Sequence, residues 1–166
     1  MNDIDTEHHQ SLGTGLRLAL AGFLDGGPGG LWGVWNLPDR WHLEDLPDLS
    51  ATFIEHQMAG CDLREGIALL AAELVAATNP ATETDLVGLA LIWPGFHSRL
   101  GTLGMCLASV GDTAHQIVWP AAELEPVGGT VPAGDLAGTE RGTVLAALAD
   151  LFAALTAGPD RDGGQR

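Results

Sequence analysis

Residues 85–119 hold three apolar runs in close succession: DLVGLALIW, TLGMCLASV and AHQIVW. Gly-Asp separates the last two, and that pair between apolar runs signals a β-hairpin. Side chains in a strand alternate between faces, so each run can be sorted into two sides. With a three-residue turn at Gly111–Thr113, Ser109 opposes His115, Leu107 opposes Ile117 and Met105 opposes Trp119. One face then carries Leu89, Leu91, Trp93, Met105, Leu107 and Ile117. The other carries Gly88, Ala90, Gly104, Cys106 and Ala108, with Gln116 and Val118. A two-residue turn would pair Cys106 with Ile117 and mix large with small residues, so the three-residue register is preferred. Neither face is properly polar. A sheet wet on one side shows polar residues there. The strands therefore demand cover on both sides: core helices on the large face, and a closely approaching element on the small one. The last helix or a second copy of the chain would serve.

The flanking segments supply helices. Leu12, Leu16, Leu20 and Phe23 recur at helical spacing from about Ser11. A second helix is expected from near Asp45, with Pro47 in its first turn, to Gly60. In DLREGIALLAAELVAATNP, Asp62 and Glu65 have capping-box spacing, and Asn79-Pro80 marks a stop. Thr139 can cap a final helix bearing Val144, Leu148, Leu151 and Leu155. The Pro- and Gly-rich stretch from Pro120 to Gly138 reads as a loop, with at most a short edge strand near Leu124–Val127. The expected fold class is α+β: N-terminal helices, a three-stranded antiparallel meander and a C-terminal helix in a single small domain. Residues 1–10 read as a polar lead-in, 11–157 as the domain and 158–166 as a disordered tail.

The segment DGGPGGLWGVWNLPDRW, Asp25 to Trp41, reads as a loop leaving the first helix. It has no Lys and no hydroxyl, so it lacks the residues that hold phosphate and magnesium in a P-loop. A helix precedes it, whereas a dinucleotide fingerprint follows a strand. Trp32, Trp35 and Trp41 remain its notable residues. They either anchor the loop in the core or present an aromatic surface, with Trp32 and Trp35 able to share a helical side. Trp93, Phe96, His97 and Arg99, around the first strand turn, are the candidates to complete such an interaction surface.

Other constellations are thin. His8, His9, His42, His56, Cys61, His97, Cys106 and His115 include no CxxC or HxxxH pair, so no metal and no cofactor is expected. Cys106 and His115 lie on adjacent strands, but the preferred register puts them on opposite faces, which breaks a nucleophile–base dyad. Glu44, Asp45, Asp48 and Glu55 are explained by solubility and the helix dipole.

Charge narrows the partners. Asp and Glu total 22 against seven Arg and no Lys, a net charge of −15. Nucleic acids and anionic membranes both require cations that this chain lacks. A basic protein suits it better. No run is long enough to span a membrane, the N-terminus has no leader pattern, and two cysteines make no disulfide framework. Cytoplasmic location follows as an expectation. Missing Lys and Tyr beside abundant Ala, Gly and Leu fit a GC-rich, actinobacterial-like composition. The hairpin ASVGDTAHQIVW with its leucine-rich terminal helix resembles the end of small actinobacterial and actinophage proteins, though the turn differs from theirs. That resemblance implies no activity or site residue. The reading is a non-enzymatic acidic protein-binding module, of regulatory, chaperone-like or immunity type, with a possible homodimer. The alternative is a small-ligand-binding protein or enzyme using residues 31–41 and the sheet.

Overall fold

The leucine stripe at Leu12, Leu16 and Leu20 does form one side of a helix, α1 (Asp3–Leu24). The computed structural model describes residues 3–27, 29–76, 85–99, 101–120 and 125–156. The helix begins well before Ser11, so much of the expected lead-in is helical. A hairpin follows, β1 (Gly30–Asn36) and β2 (Trp41–Asp45), then α2 (Pro47–Met58) and α3 (Leu63–Ala76). Four strands come next: β3 (Leu86–His97), β4 (Gly101–Val110), β5 (Thr113–Pro120) and β6 (Val127–Pro132). A short 3-10 turn, Ala133–Leu136, leads into α4 (Glu140–Thr156). The tail 158–166 and the stop at Asn79-Pro80 lie outside the described residues.

The class is α+β, but the sheet has six antiparallel strands in the order β2-β1-β3-β4-β5-β6. The three-stranded expectation misses β1 and β6 because glycine and proline punctuate them, and β2 because it is only five residues long, between Pro38 and Pro47. Gly33 shows why such a residue can still be a strand residue. A Cβ there would meet the Trp35 ring at 2.4 Å, so the glycine makes room for an aromatic ring lying along its own strand. In the same way β3 runs through Pro94-Gly95 to His97, where a turn was expected.

The hairpin register is also corrected. Val110 pairs with Thr113 across a two-residue turn, Gly111-Asp112, so Ala108 opposes His115 and Cys106 opposes Ile117. Gly111 takes φ +58°, the left-handed conformation that tight hairpin turns need and glycine supplies most easily. Turn chemistry thus outweighs sorting by size. His115 and Ile117 move to the face of Cys106, while Gln116 turns to the other side and accepts a 2.6 Å bond from Arg141 of α4.

Both faces are covered, giving three layers. On one side α2, α3 and α4 enclose Leu31, Phe53, Ile67, Leu89, Leu91 and Leu107. On the other, α1 alone lies over Val34, Ala90, Ile92, Cys106, Ala108 and Ile117. The small residues let α1 approach closely: Leu20 Cδ1 lies 2.8 Å from where Gly104 would carry a Cβ. The chain's own first helix covers the middle of this face.

Local signals explain the helix ends. Asp62 Oδ1 accepts from the Glu65 backbone N–H at 2.8 Å, and Glu65 Oε1 accepts from the Asp62 N–H at 3.3 Å, completing the capping box. Thr139 Oγ1 accepts from Gly142 N at 3.1 Å. One tie had no sequence signal. Ser50 of α2, buried, accepts from Leu31 N at 2.8 Å and donates to Leu31 O at 3.1 Å, fastening α2 to β1. Among the described residues no helix is long and apolar enough to cross a membrane.

Leu16 is fully buried beneath α1. Leu16→Ala should lower stability by about 2–5 kcal/mol in urea unfolding, since it opens a cavity under α1, which among the described residues covers that face alone. A loss under about 0.5 kcal/mol, the size of a surface change, would contradict that packing.

Candidate functional site

Six strands at about 4.8 Å spacing make a sheet roughly 24 Å across, while a helix with its side chains is about 10 Å wide. A single helix cannot cover such a face. Grooves are therefore expected along both flanks of α1, and both are present. The groove toward β1 and β2 is about 460 Å³ and is lined by Thr14, Leu18, Trp32, Arg40, Trp41 and His42, among others. The groove toward β5 and β6 is about 480 Å³ and is lined chiefly by Thr6, His9, Arg17, Thr113, His115 and Thr130.

The second groove holds the most unusual chemistry of the fold. His9 continues the Leu12–Leu16–Leu20 stripe by one further turn, which aims it at the sheet. His115 rises from β5 between Ala108 of β4 and Thr130 of β6. The small Ala108 leaves room for the ring. His9 Nδ1 and His115 Nε2 are 2.9 Å apart, and the rings stack with centroids 5.1 Å apart. In such a contact one ring donates its N–H and the other accepts, so at least one imidazole is neutral. Trp41 stands edge-on to His9 at 4.7 Å and lies 5.2 Å from His8. The Trp41 ring thus links β2 to the start of α1.

His115 is 2% exposed. Burial lowers its pKa from 6.5 to about 4, with smaller contributions from His9 and Arg17. It is neutral at physiological pH. Cys106 shares its face, contrary to the expected register, yet forms no dyad with it. Burial pushes the Cys106 thiol up to about 12, so it is not a thiolate, and the His115 Nε2 faces His9. Among the described residues no group of three His, Cys, Asp or Glu side chains could hold a metal. What the groove offers is hydrogen-bond donors and one guanidinium.

The seven residues singled out in sequence do not form one surface. Trp32 and Trp35 are three apart on a strand, not a helix, so they fall on opposite faces. Trp32 and Trp41 pack beside α1, and Trp35 and Trp93 pack toward α2–α4. All four are half-buried. Phe96 and His97 end β3, with side chains outside the described residues, and Arg99 is exposed in the following turn. The Trp32 indole N–H is buried without a hydrogen-bond partner. Sequence reading misses the His9–His115 pair because it places His8-His9 in a polar lead-in. The available signal was the phase of His9 with the leucine stripe.

The pKa of His115 sets a sign for stability. The unfolded ring takes up a proton near pH 6.5 and the folded ring only near pH 4. Between those values the unfolded chain binds more protons, so stability falls as pH drops, by about 3 kcal/mol in all. His115→Phe should flatten that part of the curve in urea unfolding at stepped pH. Equal slopes for variant and wild type would contradict the assignment. No family model, curated protein or solved structure matches the chain.

Proposed function

We propose that the protein is a non-enzymatic acidic protein-binding module, of regulatory, chaperone-like or immunity type, that engages a basic partner. The observation that carries this reading is the surplus of carboxylates. The chain has 22 Asp and Glu. Between described residues the ion pairs are Arg40–Asp39, His42–Glu44 and His56–Glu73, and two of these three rely on histidine. The acids therefore face solvent largely uncompensated, a field that attracts cationic surfaces and speeds their encounter. Exposed apolar residues lie within it. Ile54 and Met58 are a turn apart on α2, and Leu69 and Val75 sit on α3. Exposed Met and aliphatic side chains rimmed by charge are a common feature of contact surfaces.

The rival reading is a small-ligand protein using residues 31–41. The groove beside Trp32, Arg40 and Trp41 supports it. A saturable change in tryptophan emission with a sugar or nucleotide would favour that reading.

The immobilised full-length protein, incubated with a native lysate of its source organism, should retain a basic protein that elutes as salt rises. The purified pair should then form a defined complex in sedimentation velocity. A failure to retain any partner at physiological salt would overturn the proposal. Self-association belongs to the same reading, and a strict monomer at high concentration would remove it.

A further inference from the structure

We infer that the groove between α1 and the β5–β6 edge is a binding site for a small oxyanion, a carboxylate or phosphate group on a small molecule. This goes beyond the protein-binding reading and does not depend on it. The groove, about 480 Å³, falls in the range of small-ligand sites. Its chemistry departs from that of the whole chain. In a protein of net charge −15, none of the described residues lining the groove is acidic. Thr6, Thr14, Thr113 and Thr130 line it, and His9 and His115 form part of its wall.

Arg17 is the centre of the site. Its guanidinium donates to two backbone carbonyls, Gly13 O at 3.2 Å on its own helix and Gly128 O at 3.3 Å on β6. No carboxylate of a described residue lies within ion-pair distance of it, although carboxylates outnumber arginines threefold in this chain. The carbonyls hold the group in place, and among the described residues no carboxylate compensates its charge. A guanidinium has five N–H donors in a planar fork, so donors remain for a bidentate oxyanion. His9 and Arg17 also face His115 closely enough to oppose its protonation. An anion in the groove would relieve that opposition.

The test is isothermal titration of the full-length protein with inorganic phosphate and, separately, with citrate, in chloride buffers of matched ionic strength. Wild type should bind one of them saturably, and the anion that binds identifies the source, phosphate or carboxylate. Arg17→Gln should weaken binding roughly tenfold or more, the worth of a charge-assisted hydrogen bond. Arg40→Gln, outside this groove, should leave it unchanged. Circular dichroism checks that each variant is folded. Should Arg17→Gln fail to fold, Thr130→Val on the exposed β6 removes a rim hydroxyl and should also weaken binding. Absence of saturable binding by either anion would overturn the site. So would equal affinity in a folded Arg17→Gln, or, where that variant does not fold, in Thr130→Val.

Discussion

The packing of α1 on the sheet is the contact on which the rest of the molecule depends. The central strands carry apolar residues on both faces, so an open face would expose a wide apolar patch to water. Three helices answer for one face, and a single helix answers for the other. Close approach makes that economy possible. Ala90, Ala108 and Gly104 give the helix a shallow bed, and Leu12, Leu16 and Leu20 fill it. The same arithmetic of widths leaves the flanks open. The grooves beside α1 are thus a consequence of the architecture, and side chains near the ends of the helix's buried stripe become groove walls.

Those walls differ because different strands supply them. Toward β1 and β2, tryptophan and leucine accompany Arg40 and His42, and toward β5 and β6 the wall is threonine, histidine and Arg17. Both walls lack acidic residues among the described ones, against the charge of the chain. An acidic surface serves solubility and long-range attraction, and it places no constraint on what lies beneath a helix. The local field near Arg17 is set by its immediate neighbours, which are carbonyls and imidazoles.

Much of the helical part was legible in the sequence. The capping box at Asp62–Glu65, Pro47 in a first turn and the Thr139 cap all act as their local chemistry requires. The need to cover both sheet faces was legible too, from alternation alone. The covering element was not, because pattern does not say which helix goes where. The register was misjudged by weighing side-chain size above turn chemistry, and that error moved His115 to the wrong face. The strands β1 and β6 were hidden by glycines that serve as strand residues here, and β2 by its five-residue length. The candidate site was hidden for a related reason. His9 and Arg17 look like scattered polar residues until α1 is docked, and only then do they meet β5 and β6 across more than a hundred residues of sequence.

Native-state hydrogen exchange, read amide by amide at two protein concentrations, tests the central contact most directly. If α1 is the intrinsic cover of the second sheet face, the amides of Leu12 to Leu20 exchange nearly as slowly as those of β4, at either concentration. Fast exchange along α1 beside a protected sheet would contradict the account. So would protection that appears only at high concentration, because a second copy would then be supplying the cover.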